Sequence, residues 1–433
     1  MSRLGRVAVV GAGWAGLACA VELAAAGTPA TVFESARQPG GRARAVELGG
    51  HRLDNGQHLL VGAYSETLRL MRRVGAVPER LFERRPLQLE FPGAFSLRVP
   101  DLPAPLNVAC GLFGARGARL GEKIAAARFM QRLKRRHYRL LRDTSVAEWL
   151  DAEGQHGALR RYLWEPLCLA ALTTAPAQAS AQLFANVLRD SLGGGRDAAD
   201  MLLPKCDLGR LFPEPAAAYV AAHGGEVRLS TRVSGIQRDG NGWLLACGER
   251  GERFDQVVLA IAPQHVPPLL IARPAHEPLL RQLADYDYEP IATAYLAYPA
   301  ATRLACPMLG LPGPTGQWVF DRGQAGGNDG VFAFVLSAGG AWDRLGDEEL
   351  CRRLHAELVA AVGPLPAPQW QRIIRERRAT FSCRPQLPRP GQQTAERGLW
   401  LAGDYTWGDY PATLEGAVRS GVQCARLLIR EAG

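Results

Sequence analysis

The stretch VAVVGAGWAG, residues 7–16, decides the fold of this chain. Its first four apolar residues predict a buried strand, and the apolar run that follows, residues 17–26, predicts a helix. Between them the glycines keep the spacing G-x-G-x-x-G. Gly11 permits a tight turn, Gly13 lets a phosphate approach the backbone, and Gly16 allows the helix to pack closely on the strand. A strand–turn–helix unit of this kind is typical of a site that binds the diphosphate of a dinucleotide.

Glu34 strengthens this interpretation, because it lies 21 residues after Gly13, at the end of a second predicted strand over residues 30–33. A carboxylate at that position can accept hydrogen bonds from a ribose diol. The first part of the chain therefore reads as a β-α-β unit, which predicts a Rossmann-like fold of the α/β class.

Two further stretches favour FAD over NAD as the dinucleotide. PGGRA at residues 39–43 offers flexible backbone and, in Arg42, a guanidinium group able to pair with the diphosphate. Gly403 and Asp404 follow an apolar strand, and PATLEGA at residues 411–417 opens a last helix. That helix supplies a second positive N-terminus, beside which the polar edge of a flavin can lie. We therefore expect FAD, bound without a covalent link.

Composition places the chain among ordinary globular proteins. Of 433 residues, 47% are hydrophobic and 21% are charged, and the formal net charge is +9. The nine cysteines include no C-x-x-C pair and the eight histidines show no metal-ligand spacing, so we expect neither a disulfide framework nor a metal site. The first residues lead directly into a strand, without the apolar region of a signal peptide. We expect a cytoplasmic location.

These cofactor motifs resemble the two signatures of the FAD-dependent amine oxidase and phytoene desaturase superfamily. Three further blocks resemble those of hydroxysqualene dehydroxylases, also called squalene-associated desaturases. The blocks are DNGQHLL followed by GAY at residues 54–64, WEPLCLAAL at residues 164–172 and DLGRLFPEPA at residues 207–216. With them the resemblance covers most of the chain. It implies reduction of an allylic alcohol, hydroxysqualene, to squalene on the route to hopanoids, by hydride from reduced FAD.

The predicted cofactor site combines residues from the motifs and from the first of these blocks. Its members are Gly11, Gly13, Trp14, Ala15, Gly16, Glu34, Gly41, Arg42, Ala43, Gly56, Gln57, Val233, Gly403, Asp404, Thr413, Leu414 and Ala417. Val233 enters only through the resemblance, which implies that its backbone bonds the adenine edge.

Departure of the hydroxyl group needs an acid, because hydroxide is a poor leaving group. One candidate is His58, which the resemblance places beside the flavin. The other is Glu165, in an apolar stretch that would raise the pKa of its carboxyl group. Gln57 can instead bond the flavin or the hydroxyl group. The sequence does not identify the electron donor.

Three alternatives stay open on the sequence alone. A carotenoid-type desaturase would use the flavin in the opposite direction. An amine oxidase-like flavoenzyme is a second alternative, disfavoured because the lysine often found near the flavin in that branch cannot be placed, Lys205 being the only candidate outside the basic helix. A third alternative is a non-catalytic, flavin-bound scaffold at a membrane.

A basic segment, residues 102–142, is the candidate membrane-facing part of the chain. Between residues 116 and 142 ten arginine and lysine residues accompany one acid, Glu122. The spacing of its apolar residues predicts one apolar helix face, formed by Leu120, Ile124, Ala127, Met130, Leu133 and Leu140. The uncharged run before it, with Leu112 and Phe113, is a candidate membrane-dipping loop. Such a helix favours a peripheral position on an anionic membrane, and the lack of interleaved aromatic residues disfavours nucleic acid.

The cofactor pieces lie at both ends and in the middle of the chain, so we expect discontinuous domains. We assign residues 1–75, 205–270 and 390–433 to the α/β, FAD-binding domain. Residues 76–204 and 271–389 are assigned to an α+β substrate-binding domain.

Overall fold

The computed structural model of the chain describes residues 4–248, 250–270, 274–406 and 408–432. Its strands, in chain order, are β1 (Val7–Val10), β2 (Ala30–Phe33), β3 (Ala45–Leu48), β4 (His51–Asp54), β5 (Leu60–Val61), β6 (Phe82–Arg85), β7 (Gln88–Phe91), β8 (Phe95–Arg98), β9 (Met201–Pro204), β10 (Glu226–Arg228), β11 (Val233–Asp239), β12 (Gly242–Cys247), β13 (Arg250–Phe254), β14 (Gln256–Leu259), β15 (Tyr288–Ala297), β16 (Met308–Gly310), β17 (Trp318–Asp321), β18 (Val331–Ser337), β19 (Trp370–Phe381) and β20 (Leu399–Leu401).

The α-helices of the described ranges, in the same order, are α1 (Trp14–Ala25), α2 (Ser65–Arg73), α3 (Pro78–Leu81), α4 (Leu106–Gly114), α5 (Leu120–Arg135), α6 (Val146–Ala152), α7 (Gly157–Leu159), α8 (Glu165–Leu172), α9 (Ala181–Asp190), α10 (Leu208–Leu211), α11 (Pro213–Ala222), α12 (Pro267–Leu270), α13 (Glu277–Ala284), α14 (Arg322–Ala325), α15 (Asp347–Val362) and α16 (Leu414–Ala432). A π-helical turn, Arg160–Trp164, joins α7 to α8.

A parallel sheet of five strands, in the order β10-β2-β1-β14-β20, carries the glycine turn. Strand β1 lies at its centre, and all four of its residues are buried, as its uninterrupted apolar sequence predicts. Ten of the twelve residues of α1 are buried as well, because this helix lies between the sheet, α11 and α16. The predicted Rossmann-like α/β unit is confirmed.

A second sheet of five strands, in the order β16-β17-β18-β15-β19, is antiparallel throughout. Helix α15 covers one face of it, where Leu350, Leu354 and Leu358 join a buried cluster with Leu296 and Phe334. All strands of this sheet fall between residues 288 and 381. The small sheet β5-β9-β6, however, takes strands from both predicted domains, so the domain boundaries stay an interpretation of the sequence.

The basic segment folds as two helices instead of one long helix preceded by a loop. Helix α4 occupies most of the run predicted to be a membrane-dipping loop, so the predicted loop conformation is wrong, while its contact with a membrane stays a prediction. Helix α5 ends at Arg135, because the chain turns away at His137 and Tyr138, whose φ angles are 49° and 58°. Residues other than glycine rarely adopt this left-handed conformation, and two in succession end the helix.

The predicted apolar face of α5 is also wrong in part. The residues that the helix buries are Ala126, Phe129 and Leu133. Leu120 and Ile124, assigned to the same face, are 65% and 36% exposed. None of the helices in the described ranges is long and apolar enough to cross a lipid bilayer.

Candidate functional site

The glycine turn has the geometry of an anion site. Gly11 has a φ of +109°, and a Cβ atom there would lie 2.4 Å from the carbonyl oxygen of Ala260. A Cβ atom on Gly16 would lie 2.0 Å from the carbonyl oxygen of Gly11, so packing alone requires both glycines. At Gly13 the nearest atom to such a Cβ is the Cα of Gly41, 4.0 Å away. The protein leaves space beside Gly13, where the N-terminus of α1 lacks a side-chain cap, and a diphosphate fits there.

Glu34 is buried at the end of β2 and is bonded to the glycine turn. Its Oε2 atom accepts a hydrogen bond from the backbone N–H of Ala12 (2.8 Å), and its Oε1 atom accepts one from Ala36 (2.8 Å). The N–H of Thr231 donates to the carbonyl oxygen of Glu34 (2.7 Å), which brings Val233, two residues further on, to the same place. Oε1 also accepts a hydrogen bond from Ser35 Oγ (3.3 Å), so Oε2 is the oxygen that keeps a second lone pair for a ribose hydroxyl. The ribose contact of Glu34 and the adenine contact of Val233 stay predictions.

Arg42 joins the first motif to the last one. Its Nη2 atom donates to both carboxylate oxygens of Asp404 at 2.9 Å, and its Nη1 atom donates to the carbonyl oxygen of Ala379 (2.7 Å). The adjacent Gly403 is held by a hydrogen bond from its N–H to Ser420 Oγ (2.9 Å). The structure thus brings together two signatures that lie more than 350 residues apart. Pairing of Arg42 with a diphosphate stays a prediction.

Helix α16 packs on α1, and its N-terminus is closed by Thr413. Thr413 precedes α16, and its Oγ1 atom accepts a hydrogen bond from the N–H of Gly416 (3.1 Å), while its carbonyl oxygen accepts one from Ala417 (3.0 Å). The two helices touch so closely that a Cβ atom on Gly421 would lie 2.0 Å from the carbonyl oxygen of Ala15.

Two further residues of the predicted cofactor site, Trp14 and Leu414, lie at the first positions of α1 and α16. The indole N–H of Trp14 donates to the carbonyl oxygen of Ala43 (3.2 Å), which anchors the PGGRA turn on α1. Leu414 is half-buried at the first position of α16.

The loop that follows β4 carries three of the predicted residues. His58 Nδ1 donates to the carbonyl oxygen of Gly56 (2.5 Å), and the N–H of Gln57 donates to Thr293 Oγ1 (3.4 Å). The Gln57 side chain donates through Nε2 to the carbonyl oxygen of His58 (3.0 Å). Its Oε1 atom is buried and has no hydrogen-bond partner among the described residues. An orphaned buried acceptor fits a bound group that donates a hydrogen bond there.

Asp54 and Tyr295 position this loop, and sequence reasoning missed both roles. Asp54 Oδ1 accepts a hydrogen bond from the N–H of Leu208 (2.7 Å), and the hydroxyl of Tyr295 donates to the carbonyl oxygen of Asp54 (2.8 Å). Burial raises the pKa of Asp54 to about 6, against the opposing charge of Arg322. Asp54 opens a quoted block and could have been found there; Tyr295 lies on a distant strand and carries no sequence signal.

The two candidate acids differ in their surroundings. Burial lowers the pKa of His58 below its usual 6.5, and the hydrogen bond to Gly56 opposes that shift. Glu165 is 37% exposed and accepts a hydrogen bond from Nε of Arg160 (2.8 Å). The expectation that apolar surroundings enclose the Glu165 carboxyl group is therefore wrong.

A parallel sheet, an open glycine turn at the start of α1 and the joined signatures of Arg42 and Asp404 define the class of the protein: a flavoprotein that binds a dinucleotide at the carboxyl ends of its strands. Residues 14–429 match the family described as flavin containing amine oxidoreductase. Hydroxysqualene dehydroxylase of Rhodopseudomonas palustris is 32% identical to the chain, over 98% of each.

The chain belongs to the flavin-containing amine oxidoreductase family, in the branch of the hydroxysqualene dehydroxylases. It is an FAD-dependent oxidoreductase. A 15-cis-phytoene desaturase of Synechococcus elongatus is 24% identical over 98% of the chain and 96% of its own length. The structure of cyclohexylamine oxidase from Brevibacterium oxydans shares the fold, with a TM-score of 0.67, 19% identity and 99% of each chain covered.

Proposed function

We propose that the chain reduces the allylic alcohol hydroxysqualene to squalene, a precursor of hopanoids. The observation that carries the proposal is the 32% identity with a hydroxysqualene dehydroxylase, which extends over nearly the whole of both chains. The phytoene desaturase is less similar, at 24% identity. FAD in its reduced form supplies a hydride when bound.

His58 is the residue that we assign to the departure of the hydroxyl group. The carbon–oxygen bond breaks as the hydride forms the new carbon–hydrogen bond, and a proton must convert hydroxide to water. Because Nδ1 of His58 is held by the carbonyl oxygen of Gly56, the transferable proton belongs on Nε2. Burial lowers the pKa of the imidazolium, which makes it a stronger acid once it is protonated. Gln57 offers its unpartnered Oε1 as an acceptor in the same loop.

Glu165 is the second candidate acid. Its carboxylate would have to leave its ion pair with Arg160 before it could protonate a substrate. We therefore favour His58.

The alternative reactions make different demands on these residues. A desaturase takes hydride from its substrate and expels no hydroxyl group, so it needs no acid. An amine oxidase of the lysine-dependent kind would need a lysine near the cofactor, and Lys205 is exposed. A non-catalytic scaffold would bind the flavin but would not convert any substrate.

The test uses the purified protein under anaerobic conditions. The flavin is reduced with dithionite and hydroxysqualene is added, while flavin absorbance and squalene are followed together. Reoxidation with formation of squalene supports the proposal. A flavin that stays reduced contradicts it, and oxidised enzyme with a saturated polyprene then tests the desaturase.

We further propose that residues 102–142 lie on an anionic membrane surface, where the apolar substrate dissolves. Six of the ten large hydrophobic side chains that are exposed in the described ranges belong to this segment: Leu102, Leu106, Phe113, Leu120, Ile124 and Leu141. The only acid of the 116–142 stretch, Glu122, turns inward and accepts hydrogen bonds from the N–H groups of Ala158 (2.9 Å) and Leu159 (3.3 Å). The outer side therefore combines apolar tips with positive charge, as an interfacial helix requires.

A further inference from the structure

The connecting segment, residues 403–413, lies between β20 and α16 and carries the second cofactor signature. It begins with Gly403 and Asp404, and its regular structure is a short 3-10 turn over Asp404–Thr406. Main-chain carbonyl groups outside helices and strands need hydrogen-bond partners elsewhere. The side chains that bind the carbonyl groups of this segment include Arg389, from the loop before β20, and Asn186, from helix α9.

Arg389 binds three main-chain carbonyl groups of the connecting segment at once. Its Nε atom donates to the carbonyl oxygen of Tyr405 (3.1 Å), its Nη1 atom to that of Tyr410 and its Nη2 atom to that of Asp404. The guanidinium also lies over the ring of Phe381, 5.0 Å from its centre. A guanidinium is a planar, rigid fork of N–H donors, so it can hold several carbonyl groups in fixed positions, whereas an ammonium group donates from a single nitrogen.

Helix α9 holds the same segment through a second set of contacts. The Nδ2 atom of Asn186 donates to the carbonyl oxygen of Asp409 (3.1 Å), and the hydroxyl of Tyr410 donates to Oδ2 of Asp190 (2.6 Å). Asn186 and Asp190 lie four positions apart, so both belong to one face of the helix. Asn186 is only 3% exposed, and Gln182 fixes its amide group by donating to Oδ1 (2.9 Å). The segment is therefore anchored on a helix that lies more than 200 residues before it.

Asp404 links these anchors to the predicted cofactor site. Its carbonyl oxygen is bonded to Arg389, while its carboxylate is bonded to Arg42 of the PGGRA turn (2.9 Å). A movement of the Asp404 main chain would therefore move its carboxylate relative to Arg42. Tight binding of a cofactor is favoured when such residues are held in place before the cofactor arrives, because less freedom is then lost on binding.

We propose that Arg389 and Asn186 are positioning residues of the FAD site. They fix the connecting segment, and through it Asp404, in the arrangement that binds the cofactor. Neither residue belongs to a cofactor motif, and their loss leaves Asp404 present but no longer held. The inference rests on the predicted contact of Asp404 with FAD and is independent of the substrate.

The first test measures the dissociation constant of FAD from the full-length chain after removal of its flavin, by the quenching of flavin fluorescence. R389K keeps the positive charge but offers a single donor nitrogen, and R389M removes both the charge and the donors. Both variants should weaken FAD binding about ten- to a hundredfold, the combined effect of roughly two hydrogen bonds. N186L, which removes one hydrogen bond to the segment, should weaken it about three- to tenfold.

R375K and R375M are the matched controls. Arg375 also donates to a main-chain carbonyl group, that of Leu345 (2.8 Å), and its guanidinium lies over the ring of Trp342, 6.0 Å from its centre. These contacts hold the turn before α15 and not the connecting segment. The control variants should therefore bind FAD as the unmodified chain does, even where they lower the melting temperature of the flavin-free protein as much as the Arg389 variants do.

The second test records the visible circular dichroism of the bound flavin at saturating FAD, which depends on the surroundings of the flavin ring. The spectrum should change in R389K and R389M and should stay the same in R375K and R375M. A loss of stability alone would not alter it, because only folded and loaded molecules contribute. The double variant R389K/N186L should cost less affinity than the product of the two single effects, since either change already frees the same segment.

Three outcomes would overturn the proposal. The first is unchanged FAD affinity and an unchanged spectrum in R389K and R389M. The second is full affinity in R389K together with weak binding in R389M, which would mean that the charge acts and the fork does not. The third is an unchanged dissociation constant in D404N, which would remove the premise that Asp404 contacts FAD.

If the Arg389 variants fail to fold, N186L and Y410F decide. Each removes one side-chain hydrogen bond between α9 and the connecting segment. Weaker FAD binding in both would support the proposal, and normal binding in both would overturn it.

Discussion

At the scale of single residues, the hydrogen bond from His58 Nδ1 to the carbonyl oxygen of Gly56 leaves the opposite nitrogen to carry a proton to the substrate. Because burial lowers the pKa of this ring, the acid form is present only below the usual value of 6.5. Single-turnover reoxidation of the reduced flavin by hydroxysqualene should therefore slow as the pH rises from 5 to 8. The change His58→Gln should slow it by about a hundredfold or more and flatten the profile.

Glu165→Gln is the control for this measurement. It removes an exposed ion pair with Arg160, and such pairs contribute little to the stability of the fold. The rate should therefore stay within about twofold of that of the unmodified enzyme. A normal rate in His58→Gln together with a slow one in Glu165→Gln would reverse the assignment.

The burial of Asp54 predicts how the stability of the fold depends on pH. Its pKa rises from 3.8 to about 6 on folding, so the folded chain holds this proton more tightly than the unfolded chain does. The resulting stabilisation is complete below the unfolded value and is lost as the pH rises through 6, at a cost of about 3 kcal/mol. Asp54→Asn should therefore raise the melting temperature, relative to the unmodified chain, more at pH 8 than at pH 4.5. Equal shifts at both pH values would contradict this account.

At the scale of elements, α5 should carry most of the affinity for anionic lipid. Arg128 and Arg135 are exposed and form no ion pair within the described ranges. The double change R128E/R135E should weaken binding to vesicles that contain phosphatidylglycerol by at least about tenfold, since each cation near such a surface contributes roughly 1 kcal/mol. Co-sedimentation of the protein with these vesicles at low and at high salt measures the binding. R73E/R80E alters the net charge equally at another exposed site, and equal losses in both variants would mean that the effect is non-specific.

Elements also show how far the sequence could predict this structure. The glycine turn, β1 and α1 were predictable because their patterns are local. The contact of Arg160 with Glu165 was not, because the two lie five positions apart and a π-helical turn, whose hydrogen bonds span five positions, joins them. Similarly, no local pattern indicates that Thr293 and Tyr295 of β15 bind the His58 loop, more than 230 residues away in sequence. The sequence motifs were enough to predict the cofactor. The residues that position the His58 loop could be identified only once the fold was known.

At the scale of the whole molecule, the cofactor site is formed by segments that lie far apart in sequence, since Arg42 is bonded to Asp404. FAD should therefore stabilise the chain as one unit, and its removal should lower the melting temperature of the entire protein in a single transition. Differential scanning calorimetry of the loaded and the flavin-free protein measures this. Two separate transitions, of which only one responds to FAD, would show that the two large sheets unfold independently.

The order of strands in the parallel sheet has a consequence for synthesis on the ribosome. The first strand to emerge, β1, lies in the middle of the sheet, and its neighbour β14 follows about 250 residues later. The edge strand β20 and the helix α16 that covers α1 come last. Strand β2 pairs with one edge of β1 early, but nascent chains must hold the other edge of this strongly apolar strand unpaired until β14 emerges, and this edge is where chaperones should act.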